Sequence, residues 1–232
     1  LVVRALSTAH DKADCDMLSP LLRDPDNGVR REALAAAGRI ACPTLWPEVI
    51  SALDSGAVRH AAINTLVAGG ESVLPTVIAA MARDGLPSGV RASLAQACGR
   101  IGGAEAIDAL LIHVGDPDKS MRSAVLQGLS NAGYRATGQS VLLIRDRITA
   151  EISHAAWLLA GLRDCLQAPE LAYLRRVLQD QFEAARERVY LLLSLLYDSK
   201  IILDARDALR HDRTATQARR SYALELLDLR LP

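Results

Sequence analysis

Aromatic residues are scarce: one phenylalanine, two tryptophans and five tyrosines in 232 positions. Strands draw on aromatic and β-branched side chains, so this poverty argues against a β-rich core. Cysteine is as sparse. Cys15, Cys42, Cys98 and Cys165 lie far apart among apolar neighbours and form no C-x-x-C. They read as buried, reduced thiols of a cytosolic protein. Neither charge sign is in excess, with 27 basic and 27 acidic residues. A general nucleic-acid binder relies on neutralising phosphates, so nucleic acid is not an expected partner. No apolar run approaches the ~18 residues of a membrane span; the longest runs from Ala155 to Leu162. No direct membrane insertion is expected, and nothing resembles a signal peptide. The chain begins at leucine, as a segment cut from a longer protein would.

Half of the residues are hydrophobic, and alanine and leucine dominate, which favours helix. The stretch "DPDNGVRREALAAAGRI", residues 24 to 40, shows how they are arranged. With Val29 as position zero, Arg30 is +1, and Ala33, Leu34, Ala37 and Ile40 fall at +4, +5, +8 and +11. The same spacing starts at Val58 (Arg59, Ala62, Ile63, Leu66), at Val90 (Arg91, Leu94, Ala95, Cys98, Ile101) and at Met121 (Arg122, Val125, Leu126, Leu129, Ala132). Apolar residues so spaced share one side of a helix. Recurrence every 29 to 32 residues marks a helical repeat array. Gly70, Gly102 and Gly133 at +12 are the expected left-handed caps, while the first helix has Ala41 there and stops at Pro43.

A shorter apolar helix precedes each of these: Met17 to Arg23, Pro47 to Leu53, Leu74 to Ala82 and Ala104 to Val114. Each ends near an aspartate: Asp24, Asp54, Asp84 or Asp116. Such antiparallel pairs, A then B, bury their apolar faces only by stacking on neighbours. Further helices are expected from Gln139 to Arg147, Ala150 to Leu166, Pro169 to about Gln181, Glu183 to Tyr197 and Lys200 to Leu209. The spacing returns at Ala218, with Arg219, Tyr222, Ala223, Leu226 and Leu229, after Asp212. The expectation is one array over residues 1–232, regular over 17–133 and degenerate over 134–232.

The stretches "DPDNGVRREAL", "DSGAVRHAAI", "GLPSGVRASL" and "GDPDKSMRSAV" resemble the HEAT repeat in its shorter bacterial form. The resemblance implies an all-α, right-handed α-α superhelix, a HEAT/armadillo-like solenoid of about six to seven helical pairs. In such arrays turn aspartates commonly pair with B-helix arginines. That implies a structural ladder of Asp24, Arg30, Asp54, Arg59, Asp84, Arg91, Asp116 and Arg122. B helices line the concave side, where +2, +6 and +10 point away from the core. Those positions include Arg39, Asn64, Gln96, Arg100, Gln127 and Asn131, a candidate partner-binding face.

Residues 189–232, with "LLSLLYD", "AR" and "RRSYALELLD", resemble the HEAT-containing soluble region of bacterial ATP/ADP-translocase-like proteins. There a transporter-like membrane part precedes the repeats and a cyclic-nucleotide-binding domain often follows. This implies a cytoplasmic regulatory segment, tethered at the inner membrane through spans outside this sequence, with neighbouring domains or another protein as its partner.

No chemistry stands out. None of the five histidines is followed by glutamate, so the His-Glu pairs of a HEAT-like di-iron hydroxylase are missing. No metal, cofactor or catalytic residue is expected. "VAGGES" and "GRIGGAE" read as helix caps, and Trp46 and Trp157 as packing residues. A non-enzymatic interaction module is the first expectation. A bilin-lyase-like enzyme and a nucleic-acid-binding array are the alternatives.

Overall fold

A computed structural model describes residues 12–83, 85–165 and 169–209, with Ser221, Leu224, Glu225 and Asp228. Asp84 and the recurrence at Ala218 to Leu229, with Asp212, lie outside the described residues as expected elements. The protein is an all-α helical repeat solenoid; no strand occurs among the described residues. The chain divides into two compact units, Leu1–Gly133 and Tyr134–Pro232.

The first unit holds four helix pairs, here repeats 1 to 4. The A helices are α1 (Lys12–Leu22), α3 (Trp46–Ala52), α5 (Leu74–Met81) and α7 (Ala104–Ile112). The B helices are α2 (Asn27–Ile40), α4 (Arg59–Gly69), α6 (Ser88–Ile101) and α8 (Lys119–Asn131). Each A packs on its own B, successive B helices pack side by side, and so do successive A helices. The periodic positions form the core: Leu34, Leu66, Leu94, Met121 and Leu126 are almost wholly buried.

Turn chemistry starts and stops the B helices. In repeats 1 and 4 the second aspartate of Asp-Pro-Asp is the N-cap. Asp26 Oδ1 accepts from the N–H groups of Gly28 (2.6 Å) and Val29 (3.2 Å). Asp118 Oδ1 does the same for Ser120 (2.7 Å) and Met121 (3.3 Å). These bonds satisfy donors that a helix start leaves open. Within the segment Arg59–Met81 an 18-residue stretch has mean hydropathy 1.3, apolar and long enough to cross a membrane. It is not one helix, however, because Gly70 at φ 59° ends α4.

The helices α6 and α8 approach closely at two glycines. A Cβ on Gly99 would lie 2.1 Å from the Gly128 Cα. Gly99 is therefore a helix-interior contact residue and not part of a cap, as "GRIGGAE" suggests from sequence alone.

The cysteine expectation needs correction. Cys15 on α1 and Cys42 before α3 form a disulfide, with Cα atoms 6.3 Å apart. Stacking brings together two residues that sequence separates by 27 positions. Cys98 and Cys165 are buried free thiols.

The second unit contains α9 (Gln139–Asp164), α10 (Ala172–Leu196) and α11 (Ser199–Leu209). Four helices expected between residues 138 and 197 are thus two long ones. Thr149 Oγ1 donates to Arg145 O (3.1 Å) and Ser153 Oγ to Thr149 O (2.9 Å). These hydroxyls are satisfied by the preceding turn of α9 itself. No Gly or Pro interrupts 172–196, so α10 also runs through. The helices α9 and α10 pack together, and α11 packs on α10.

Candidate functional site

The B-helix arginines act at the repeat turns in two ways. Arg59 and Arg122 turn back to their own repeat. Arg59 Nε donates to Leu53 O (2.8 Å) and Nη2 to Asp54 O (3.4 Å). Arg122 Nη1 donates to Asp116 O (2.7 Å) and Pro117 O (3.1 Å). The acceptors hold equivalent places, −5 and −4 from the start of each helical pattern. Arg91 and Arg30 instead reach forward. Arg91 Nη2 lies 2.6 Å from Asp116 Oδ2 in the next repeat. Arg30 Nη1 meets only Asn27 Oδ1 and Ser55 Oγ, both at 3.4 Å.

The aspartates divide accordingly. Asp116 accepts from the Asp118 N–H (3.0 Å), and Asp24 from that of Asp26 (2.8 Å). Asp24 belongs to the first repeat, so no described B helix precedes it to send an arginine. Asp54 is exposed and contributes its carbonyl.

Asp116 is 8% exposed. Burial works against its ionisation. The Asp118 N–H, the Arg91 guanidinium and His113 outweigh it and hold the carboxyl below its usual value. A depressed folded-state pKa adds stability that is present above the unfolded value, about 4, and is lost as pH falls through the folded one. Asp116→Asn is therefore expected to cost about 2 kcal/mol at neutral pH, as for a hydrogen bond to a charged group. It should also flatten the loss of stability below about pH 4. Urea unfolding at a series of pH values checks both.

All six residues of the expected binding face are exposed: Arg39 on α2, Asn64 on α4, Gln96 and Arg100 on α6, Gln127 and Asn131 on α8. Two hydrogen bonds organise them. Arg100 Nη1 donates to Asn64 Oδ1 across neighbouring helices (2.8 Å), and Gln127 Nε2 to Asn131 Oδ1 within α8 (2.9 Å). The Arg100 guanidinium is thereby fixed over the middle of the face.

Other groups sit differently from their sequence expectation. Trp46 is buried, but Trp157 is 67% exposed and stacks on His154 with ring centroids 6.2 Å apart. The physical reason is layer number. Burial on α10 begins only at Ala185, so among the described residues no third layer covers the other half of the α9–α10 hairpin. Burial and then Glu105 push the Cys98 thiol up to about 11, which keeps it protonated and unreactive. Sequence reading missed the N-caps Asp26 and Asp118, although "DPD" occurs in both places, and it missed the buried ion pair of Glu151 with Arg188 (2.9 Å).

Stacked antiparallel helix pairs with arginine-bridged turns define an α-helical repeat protein. Two overlapping segments, residues 15–94 and 46–130, match HEAT repeats, together spanning half of the chain. The chain belongs to the HEAT repeat family, whose arrays commonly mediate protein interaction or scaffolding. No curated protein matches it.

Proposed function

We propose that the chain is a non-enzymatic protein-binding module. Its first unit holds an extended segment of a partner along the exposed face of α2, α4, α6 and α8. One observation carries this reading: successive B helices present Asn64, Gln96 and Gln127 to solvent in one row. Side-chain amides offer donors and acceptors together, as an extended backbone requires. Arg31, Arg39 and Arg100 lie on the same face, and the +2, +6 and +10 positions hold no acid. A segment carrying carboxylates is therefore the preferred ligand.

Peptides selected from a displayed library on the whole protein test the reading. The variant Asn64→Ala/Gln96→Ala/Gln127→Ala should keep its stability within about 0.5 kcal/mol per site, since exposed helix positions contribute little. Its affinity for the selected peptides should fall about tenfold or more, from several hydrogen bonds of about 1 kcal/mol each. Unchanged affinity in a folded variant defeats the proposal.

The wider setting we propose is a cytoplasmic regulatory segment of a transporter-like membrane protein, binding a neighbouring domain. Its support is the resemblance of residues 189–232 alone. The Cys15–Cys42 bond weighs against a reducing compartment. Counting thiols in protein denatured straight from its native compartment decides between them. Two reactive thiols, from Cys98 and Cys165, mean that the bond forms there; four mean the reduced state of the cytoplasm.

A further inference from the structure

Arg30 and Arg91 hold the same place in repeats 1 and 3, and both reach toward the turn of the next repeat. Arg91 finds the Asp116 carboxylate at 2.6 Å. Arg30 finds two neutral oxygens at 3.4 Å, the outer edge of hydrogen-bonding range. Its buried Nε has no hydrogen-bond partner. The register explains the difference. Asp116 stands five residues before Met121, and the equivalent place before Val58 is Leu53, whose side chain is wholly buried in the core. Repeat 2 thus supplies no carboxylate where repeat 4 does.

Arg30 also lines an open cleft of about 370 Å³, walled by Leu22, Arg23, Pro47, Glu48, Ser51 and Ala52. Glu48 is the one acid among these lining residues. It already accepts from Arg23 (3.1 Å) and from the Ser19 hydroxyl (3.3 Å). The charge of Arg30 is not offset by an ion pair among the described residues.

We propose that this cleft binds a carboxylate of a partner protein, which takes against Arg30 the place that Asp116 takes against Arg91. Guanidinium groups bind carboxylates through two parallel N–H donors, and both Arg30 bonds, at the edge of range, use Nη1 alone, which leaves Nη2 for such a fork. Leu22, Pro47 and Ala52 provide apolar surface for the carbon stem that carries the acid. The cleft lies at the A–B turns of repeats 1 and 2, so the inference does not depend on the exposed-face reading.

The test follows the Arg30 side-chain Nε–H signal by NMR in the whole protein at constant ionic strength. One probe is N-acetylglutamate N-methylamide, which has a side-chain carboxylate. The other is N-acetylglycine, which mimics a chain end. At least one should shift the Arg30 signal saturably, while Arg59, already donating to Leu53 O, stays still. The tighter of the two identifies the source of the acid. Ser55→Asp, which puts a carboxylate beside Arg30 from the next repeat, should shift the signal without probe and abolish the response to both. Ser55→Asn should keep that response. No saturable shift at Arg30, a shift no different from that of exposed Arg39, or full probe binding by folded Ser55→Asp overturns the proposal.

Discussion

Glu151→Ala is expected to destabilise the second unit by about 3–5 kcal/mol, the usual result of stranding one member of a buried ion pair. Arg188 on α10 is 2% exposed and Glu151 on α9 is 6% exposed, with 2.9 Å between Nη2 and Oε2. Removing the carboxylate leaves a guanidinium where water cannot replace the lost charge. Whole-domain stabilities are about 5–15 kcal/mol, so one such change endangers the fold. Replacing both partners with apolar residues of similar volume (Glu151→Leu with Arg188→Met) should recover most of the loss, because the pair's attraction is offset by desolvation. Urea denaturation followed by helical circular dichroism measures each variant. A single variant as stable as the wild type would mean that the pair is solvated.

The second large effect is expected at Gly99. A methyl group there meets the Gly128 Cα at 2.1 Å, against 3.4 Å or more for an ordinary contact. The helices must separate by more than a side-chain rotation can absorb, since the obstacle is backbone. Gly99→Ala should cost about 3 kcal/mol, the upper part of the range for overpacking. Gly128→Ala is the control. Its methyl group meets Leu110 Cδ1 at 3.1 Å, Gly99 Cα at 3.2 Å and Ala95 O at 3.3 Å; the leucine end can give way, and the two backbone contacts need a shift of only a few tenths of an ångström. A cost of about 1 kcal/mol is expected. Thermal unfolding of both variants tests the asymmetry, and equal costs would show that the α6–α8 crossing is looser than described.

The first unit was legible in the sequence because its signals are local. Spacing at +4, +5, +8 and +11 is a property of one helix, and Gly70 and Gly102 mark helix ends by their own backbone needs. The rest depends on what stacking brings together. Nothing near Cys15 announces Cys42, and no short motif pairs Glu151 with Arg188, 37 residues away. Gly99 looks like its capping neighbours, Gly102 and Gly103, until α8 lies against it. In the second unit Thr149 falls in the gap between two expected helices, and its hydroxyl is satisfied within α9 by the Arg145 carbonyl. The exposed-face residues could be placed from sequence because the wheel fixes which side of a B helix is apolar. The bond between Arg100 and Asn64 could not, since it crosses two helices.

The central claim is that the exposed B-helix face receives the partner. The most direct measurement is photo-crosslinking of a selected peptide to protein carrying p-benzoylphenylalanine at one of two exposed sites. Ala35 on α2 stands at +6, in the row continued by Asn64, Gln96 and Gln127. Ile112, 79% exposed, ends α7 in the A-helix row. Strong crosslinking from position 35 and none from position 112 is the expected result. Crosslinking from position 112 alone would place the partner on the opposite row and contradict the account.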